Sequence, residues 1–396
     1  MANLNSILIN DITLRDGEQS AGVNFFPEEK LKIAEQLVKM NLPIIEAGFP
    51  IASDSDFKGV KLVASELGTG DGPVICAMAR ADKKDIQCAW EAVSPAAKPR
   101  IQVVLATSDL HLKYKLKKTR SEILGQAYEM VGYAKQLTDD VEFAAEDATR
   151  SEPQFLHEVF TACVEAGAKT LEIPDTVGYS TPDEYASIVK GVLENVPGAE
   201  DVVIATHCHN DLGLATANTL SGIMAGARQV ETTINGIGER VGNAPFEEVV
   251  MALKTRQNHY GFEIGINTSE IINTSRMVAE LANMDVAPNK AIVGKNAFLH
   301  ESGIHQHGML CNRETYQIIQ PETIGLKEYS LVLGKLSGSH ALKIKIEELG
   351  FKLEEEDFNT VYQNFKDLAG KKKFIVDEDV INLVNRVSSL RMVERR

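Results

Sequence analysis

From residue 6 to about residue 257, short apolar runs rich in β-branched residues alternate with longer segments that carry apolar residues at helical spacing. The short runs predict buried strands, and the longer segments predict amphipathic helices. The predicted strands cover residues 7–10, 44–47, 74–77, 101–105, 141–144, 170–173, 202–205 and 230–234. The predicted helices cover residues 28–40, 55–67, 83–92, 121–137, 153–166, 183–195, 212–227 and 246–258.

Eight β–α units in about 250 residues are the count and length of a TIM barrel. The alternative is a doubly wound open sheet, which usually has fewer strands and a glycine-rich phosphate turn after the first one. Residues 10–19 form no such turn. The pattern therefore predicts an α/β fold in which a TIM (β/α)8 barrel occupies residues 1–262.

The alternation stops beyond about residue 260. Candidate helices at 269–284, 338–349, 355–369 and 377–388 are separated by loops, which include the polar stretch 295–313. We expect residues 263–396 to form a mainly α-helical C-terminal region that covers the active site at the barrel mouth.

Charge and composition narrow the classes of partner. The 41 Lys and Arg residues against 56 Asp and Glu residues give a net charge of −15, which disfavours nucleic acid and an anionic membrane. No apolar run is long enough to span a bilayer, and residues 1–6 lack the features of a signal peptide. The five cysteines show no C-x-x-C spacing, which is typical of free thiols in a reducing compartment. We expect a cytoplasmic protein.

The first candidate for chemistry is the pair His207 and His209, which directly follows a predicted strand. Residues two apart in a strand share one face, so both imidazoles can point at one metal ion. Cys208 faces the other way and is expected in the core. The alternative is an ordinary hydrogen-bonded histidine pair. The residues elsewhere in the chain are needed to choose between metal binding and this structural role.

The predicted barrel tells us which other residues should lie near the two histidines, because the active site of a TIM barrel lies at the carboxyl ends of its strands. Histidine nitrogens together with carboxylate and amide oxygens suit Mn²⁺, Zn²⁺ or Mg²⁺. The polar residues at these ends are Arg15, Asp16, Gln19, Glu46, Arg80, Thr107, Ser108, His111, Glu146, Asp147, Asp175, Thr176, His207, His209 and residues 235–243.

Three ambiguities remain at this rim. Spacing cannot choose between Asp11 and Asp16 as the carboxylate of the first strand. Glu46 has a structural alternative, an ion pair with Arg15 or Arg80. Residues 235–243 are also readable as an ordinary turn, because their three glycines supply the positive φ that turns require.

The segments 11–19, 207–211 and 235–243 resemble the three signatures of the 2-isopropylmalate synthase and homocitrate synthase family. The segments 46–50, 106–111, 139–143, 173–179 and 300–306 resemble its isopropylmalate branch in particular. The resemblance extends from about residue 6 to about residue 385.

The resemblance implies a metal-dependent TIM barrel that condenses acetyl-CoA with 2-oxoisovalerate, giving 2-isopropylmalate and CoA in the first committed step of leucine biosynthesis. It implies a divalent metal, with Mn²⁺ expected first and Mg²⁺ or Zn²⁺ as alternatives. The implied metal ligands are Asp16, His207, His209 and Asn243. The implied substrate contacts are Arg15, Glu46, His111 and Thr176, and the implied catalytic residues are Arg15, Glu146, His305 and Tyr316.

The resemblance also implies a homodimer, in which His305 and Tyr316 reach into the barrel of the partner subunit. Two departures matter. His307 stands where the family usually has an acidic residue. The chain ends at residue 396, whereas longer members continue into a C-terminal leucine-binding domain, so we expect no such domain here, and the sequence leaves regulation by leucine or another effector open.

In the expected mechanism Arg15 stabilises the developing alkoxide. His305, or a water that it orders, is the first candidate base and Glu146 the second. The residues expected around the side chain of the 2-oxo acid are Leu105, His111 and Phe143. The alternatives are a homocitrate or citramalate synthase, a metal-dependent acyl-CoA lyase, and a barrel that only senses a metabolite.

Overall fold

The computed structural model describes residues 6–326 and 330–394, so the first five residues, part of the segment examined for a signal peptide, lie outside it. Eight parallel strands close into a barrel in sequence order, β1 to β8, with β8 pairing β1. The predicted TIM barrel is therefore confirmed. The strands are β1 (Leu8–Asp11), β2 (Ile44–Gly48), β3 (Val74–Arg80), β4 (Pro99–Ala106), β5 (Asp140–Glu146), β6 (Thr170–Asp175), β7 (Val203–Cys208) and β8 (Gln229–Thr232).

Each strand is followed by a helix, and several of these helices begin with recognisable start signals. Thr119 and Glu122 form a capping box at the start of the helix Arg120–Leu137, and Pro182 occupies the first turn of the helix Pro182–Asn195, where a missing N–H costs nothing. The helices are α1 (Pro27–Lys39), α2 (Asp54–Leu67), α3 (Lys83–Val93), α4 (Arg120–Leu137), α5 (Pro153–Ala166), α6 (Pro182–Asn195), α7 (Ala215–Ala225) and α8 (Phe246–Thr255).

The shell between the barrel and the helices is apolar. Strand alternation sends Ile45, Val103, Phe143 and Leu171 outward, and each of these side chains is fully buried. The Phe143 ring meets the Phe160 ring of α5 edge to face, with 6.2 Å between the ring centroids. This contact fixes the outward direction of the odd-numbered residues of β5.

The interior of the barrel is polar. Hydrogen bonds cross it from Asn10 to Glu231 (2.9 Å), from Gln102 to Glu172 (2.6 Å) and from Arg100 to Glu142 (3.0 Å). The residues that form these bonds are almost completely buried, Arg100 being the most exposed at 6%. Buried polar groups need such partners, because unpaired ones are costly.

Contacts divide the chain into two compact units, the first ending at Val286 and the second beginning at Ala287. The predicted boundary at residue 262 follows the short helix Gln257–Tyr260, and the next helix, α9 (Ile271–Leu281), belongs to the first unit. There Gln36 of α1 donates a hydrogen bond to Thr274 of α9 (3.2 Å).

The second unit has a core of its own, built around Leu342, Phe365 and Val384. Its elements are β9 (Leu299–His300), α10 (Gly303–Cys311), β10 (Ser330–Leu331), α11 (Ser339–Glu348), α12 (Glu355–Ala369) and α13 (Asp377–Glu394). That this unit covers the barrel mouth stays a prediction. In the part of the chain that the structure describes, no helix combines the length and apolar character that a membrane span requires.

Candidate metal and active site

Two histidines and an aspartate meet at the carboxyl end of the barrel. His207 is on β7, and His209 forms an isolated bridge with Asn243 just beyond that strand. The two Nε2 atoms are 3.1 Å apart, and Asp16 Oδ2 lies 4.0 Å from the first and 3.8 Å from the second. All three side chains are buried. Their ligand atoms therefore face one point.

The structure distinguishes the two aspartates that follow the first strand. Asp11 accepts a hydrogen bond from the backbone of Thr13 (3.0 Å), two residues further along the chain. Asp16 lies beside the histidines instead. Cys208 is buried in the core, as the strand alternation predicts.

The protonation state of the histidines suits a metal. Burial lowers the pKa of His207 and of His209 to about 4, so both imidazoles are neutral at neutral pH. Glu231 Oε2 lies 2.8 Å from His207 Nδ1 and can accept its proton. With Nδ1 as the donor, the lone pair of His207 is on Nε2, which faces His209.

Asp16 and Asn243 complete the donor set. Burial alone would raise the pKa of Asp16, but the Arg15 guanidinium, the histidines and a hydrogen bond from Asn243 hold that pKa well below its usual range. Asn243 Nδ2 donates to Asp16 Oδ1 (2.7 Å), whereas Asn243 Oδ1 is buried without a partner among the described residues. A carboxylate, two neutral imidazoles and a free amide oxygen fit a divalent metal.

The glycines of residues 235–243 allow this close approach. Gly238 has φ +155°, and a Cβ there would meet Asn243 Nδ2 and, at 2.8 Å, Asp16 Oδ1. Gly242 has φ +87° and would bring a Cβ onto the carbonyl oxygen of Gly236. Residues 235–243 therefore form a turn in which Gly238 and Gly242 are required, because a side chain at either position would be strained and would clash with its neighbours.

Arg15 is the cation next to the metal ligands. Its Nε donates to Glu46 Oε1 (2.8 Å), its Nη1 donates to Asp16 Oδ2 (2.6 Å), and its Nη2 lies 3.8 Å from Glu231 Oε2. The Arg15 side chain is only 8% exposed. Three carboxylates thus fix the guanidinium in one orientation. Of the two arginines considered for Glu46, the structure selects Arg15, because Arg80 pairs with Asp85 instead.

A cavity of about 370 Å³ opens above these groups. Its lining includes the predicted residues Arg15, Asp16, Glu146, Thr176, His207 and His209. Glu146 accepts two hydrogen bonds from Lys115 Nζ, at 2.6 and 2.8 Å. Two predicted substrate contacts are not part of the lining. His111 lies 3.5 Å from Glu146 Oε1, and Glu46 is completely buried against Arg15.

The apolar part of the cavity differs from the prediction. Leu105 and Phe143 do not line it, because they project outward from β4 and β5. The neighbouring positions Val104 and Ala144 line it together with Met78. A shift of one residue in a strand exchanges the two faces, so the prediction chose the right strands and the wrong positions.

His305 and Tyr316 lie in the second unit. Their ring centroids are 4.3 Å apart, and Tyr316 is 44% exposed. The structure therefore brings these two together as a pair. His307 Nδ1 lies 3.2 Å from His340 Nδ1, which is the local contact of the position where the family usually has an acid.

The carboxylates inside the barrel were missed by reasoning from the sequence. Glu172 and Glu231 lie 3.6 and 2.8 Å from His207 Nδ1, and burial raises the pKa of both. A signal was present, since each glutamate is the one charged residue of its predicted strand, 170–173 or 230–234. A charge at such a position indicates a polar interior and not a break in the strand.

Comparison with protein families agrees with this geometry. The HMGL-like family model matches residues 6–278, and the model described as Homocitrate synthase post-HMGL domain-like matches residues 292–373. A 2-isopropylmalate synthase of Gloeothece citriformis is 54% identical over 392 residues, which cover 96% of this chain and 73% of that protein. The chain belongs to the 2-isopropylmalate synthase family.

Other members of the 2-isopropylmalate synthase family are about as similar. The Synechocystis protein is 53% identical over 96% of this chain and 73% of its own length. A Prochlorococcus marinus protein is 52% identical over 97% of this chain and 72% of its own length.

Solved structures share the fold at lower identity. Hydroxymethylglutaryl-CoA lyase from Pseudomonas aeruginosa has a TM-score of 0.60 and 17% identity, over 71% of this chain and 95% of that one. The carboxyl transferase domain of Rhizobium etli pyruvate carboxylase, with pyruvate, has a TM-score of 0.54 and 14% identity. The match covers 99% of this chain and 61% of that one.

Proposed function

We propose that this protein catalyses the metal-dependent condensation of acetyl-CoA with 2-oxoisovalerate, which gives 2-isopropylmalate and CoA in leucine biosynthesis. The observation that carries the proposal is the buried group of Asp16, His207 and His209 beside Arg15, in a chain 54% identical to a 2-isopropylmalate synthase. The catalysed reaction is an acyl transfer in which the acyl group becomes an alkyl group.

Asp16, His207, His209 and Asn243 would hold the metal. When bound, a divalent cation supplies Lewis acidity that polarises the keto group of the 2-oxo acid. Two imidazoles suit zinc, whereas carboxylate and amide oxygens suit Mn²⁺ and Mg²⁺. We propose Mn²⁺ as the ion that works in the cell, and metal replacement would test that choice.

Arg15 is proposed to stabilise the negative charge that develops on the keto oxygen. Its guanidinium is held by Asp16 and Glu46 before any substrate arrives, so little reorganisation accompanies the reaction. A fixed planar donor of this kind is better suited to the task than a flexible ammonium. Thr176 is proposed to contact the 2-oxo acid, because it lines the same cavity.

The apolar wall is proposed to select the side chain of the 2-oxo acid. Met78, Val104 and Ala144 supply apolar surface and no charge. Such a wall suits the isopropyl group of 2-oxoisovalerate, whereas the carboxylate of 2-oxoglutarate would lose its hydration without gaining a partner there. Filling the wall by Ala144→Leu should favour pyruvate over 2-oxoisovalerate by roughly tenfold, the usual value of one or two methyl groups.

Two bases are proposed for removing a methyl proton from acetyl-CoA. Glu146 is the carboxylate within the cavity, and Lys115 holds it in place. His305, paired with Tyr316, remains the candidate that a partner subunit would supply. Glu146→Gln and His305→Gln, assayed separately for deuterium exchange into acetyl-CoA, would identify the base by which change abolishes the exchange.

A homodimer and a cytoplasmic location are part of the proposal. All five cysteines are free, which supports a reducing compartment, and the dimer is what would bring His305 to a barrel. Mixing Asp16→Asn with His305→Gln protein tests the dimer, because only mixed dimers with shared sites would recover activity.

The experiment that tests the activity is thiol release from acetyl-CoA with Mn²⁺ or Mg²⁺ across 2-oxoisovalerate, pyruvate, 2-oxobutyrate, 2-oxoglutarate and oxaloacetate, repeated after chelation. The proposal expects metal-dependent release that is fastest with 2-oxoisovalerate. Preference for pyruvate or 2-oxoglutarate would replace the substrate with that of a citramalate or homocitrate synthase. Absence of release with every acid would contradict the proposal.

A further inference from the structure

The loop between β4 and α4 contains a concentrated positive charge. Five of the eight residues from 113 to 120 are basic, in a chain whose net charge is −15. We call residues 113–118 the basic segment. It follows the carboxyl end of β4, so it lies on the rim of the barrel that carries the active site.

The backbone of the basic segment is unusual. Leu112–Leu116 forms one turn of π-helix, and Lys117 has φ +54°. Single π-helical turns are rare and occur frequently at functional sites, and a residue other than glycine at positive φ is uncommon. Tyr114 is 67% exposed, with Lys113 Nζ 4.9 Å from its ring centroid.

Within the described part of the chain, one of the four lysines in this segment has a carboxylate partner. Lys115 pairs with Glu146, and Lys118 Nζ donates to the neutral Gln126 side chain (2.6 Å). Among the residues whose side chains the structure describes, 6–326 and 332–387, no carboxylate pairs with the ammonium groups of Lys113, Lys117 or Lys118 within 4.0 Å. Three exposed positive charges thus remain available to an anion from solution.

A groove connects this segment with the active site. A second cavity of about 500 Å³ shares Arg80, Val104, Lys115 and Glu146 with the active-site cavity. Its further lining includes Leu105, Leu116, Gln126 and Lys84. Because Gln126 binds Lys118, the groove passes from Glu146 to the basic segment.

The acids of this groove have partners of their own. Asp85 accepts hydrogen bonds from Arg80 at 2.5 and 3.2 Å, and Asp82 accepts one from the backbone of Lys84 at the start of α3 (2.9 Å). The apolar part of the lining includes Ile51, Val104, Leu105 and Leu116. This arrangement fits a long molecule with a reactive group at one end and an anionic group at the other.

We propose that the basic segment binds the phosphates of acetyl-CoA, whose thioester arm lies in the groove with the acetyl group near Glu146. The position of the acetyl group rests on the proposed condensation, whereas phosphate binding by Lys113, Lys117 and Lys118 does not. Lysine is a common phosphate ligand, and the exposed face of Tyr114 offers a stacking surface for the adenine.

The test is the double variant Lys113→Ala/Lys118→Ala. Titration calorimetry would measure Kd for CoA, for dephospho-CoA and for 3′,5′-ADP, the phosphorylated head of CoA. We expect Kd for CoA and 3′,5′-ADP to rise about tenfold or more, since charged hydrogen-bond donors to the phosphates are lost. The kcat/KM for S-acetylpantetheine, which lacks the phosphates, should equal the wild-type value.

Two further variants make the outcome specific. Lys190→Ala removes an exposed lysine from α6 and should change no Kd. Lys113→Arg/Lys118→Arg keeps both charges and should retain CoA binding, which excludes a folding defect as the cause.

Unchanged Kd values for CoA and 3′,5′-ADP in the double alanine variant would overturn the proposal. Weakened binding of 3′,5′-ADP in a protein that consumes no acetyl-CoA with any 2-oxo acid would contradict the proposed condensation and leave the phosphate site standing.

Discussion

The interior of the barrel and the shell around it are both buried, yet they are built from opposite kinds of residue. Phe143 and Phe160 meet in the shell through apolar contact alone. The inward-facing residues of β5 are Glu146 at the barrel mouth, then Ala144, and then Glu142 towards the start of the strand. Glu142 accepts hydrogen bonds from Arg100 and Gln229 in the interior. Apolar burial is non-directional, whereas hydrogen bonds and ion pairs fix direction.

The difference indicates a division of labour. The shell supplies free energy of unfolding, and the interior orients the groups that meet at the barrel mouth. Asn10 binds Glu231, Glu231 binds His207, and His207 faces His209. Substitutions in the two regions should therefore change different measured quantities.

The largest effect is expected for Arg15→Gln, which removes the guanidinium from three buried carboxylates. We expect kcat to fall by about 10²–10³, because a fixed donor to the reacting oxygen is lost. The free energy of unfolding should fall by about 3–5 kcal/mol, because buried charges lose their partner.

Steady-state kinetics and urea unfolding would measure both effects of Arg15→Gln. The matched control is Arg276→Gln on α9, where the arginine is exposed and both quantities should stay near the wild-type values. A kcat within threefold of the wild type for Arg15→Gln would show that the interior does not serve the reaction as described.

Phe160→Ala tests the shell. It leaves a cavity against Phe143 and should lower the free energy of unfolding by about 3–5 kcal/mol, measured by urea denaturation. The kcat per folded molecule should not change. Tyr128→Ala is the control, because that ring is 51% exposed and its loss should cost about 1 kcal/mol or less. Loss of turnover without loss of stability in Phe160→Ala would reverse the assignment of the two regions.

Glu231→Gln separates orientation from stability inside the barrel. Without the carboxylate on Nδ1, His207 becomes a weaker ligand, and we expect Kd for Mn²⁺ to rise by about 10–100-fold. Glu142→Gln is the matched control, since that residue bonds to Arg100 and Gln229. Competition with a chelating dye would measure both values, and an equal loss of affinity in the two variants would remove the special role of Glu231.

The smallest expected effect is a dependence of the free energy of unfolding on pH. Burial raises the pKa of Asp11 from 3.8 to about 7, and the hydrogen bond from Thr13 lowers it only in part. The neutral Asp11 side chain makes its full contribution to the free energy of unfolding below pH 3.8, and this contribution is lost as the pH rises through 7. Asp11→Asn stays neutral, so it should gain stability relative to the wild type over this window, by at most about 1.4 kcal/mol per pH unit.

Urea unfolding of the wild type and of Asp11→Asn at pH 5, 6, 7 and 8 would measure this slope. A difference that is constant from pH 5 to pH 8 would mean that Asp11 is ionised throughout.

Much of this architecture could be predicted from the chain alone. The eight strands follow from short runs rich in β-branched residues, because the strands are buried, and the helices follow from apolar residues at helical spacing, because each helix buries one face. The family signatures indicated Asp16, His207, His209 and Asn243, and the structure places all four side by side.

Other features depend on closure of the barrel. The alternation in β5 shows that Phe143 and Ala144 face opposite ways, but not which of them faces inward. Pairs such as Gln102 with Glu172 join strands that are not neighbours, so no local pattern predicts them. The π-helical turn at Leu112–Leu116 has no recognised sequence signal either.

The central claim is that Asp16, His207 and His209 bind one divalent cation on which condensation depends. The most direct measurement determines bound metal per chain, by mass spectrometry after dialysis, together with thiol release from acetyl-CoA and 2-oxoisovalerate in the same samples of wild type and Asp16→Asn. We predict one ion per chain and metal-dependent release in the wild type, and loss of both in the variant. Full release by Asp16→Asn, or by metal-free wild type, would contradict the account.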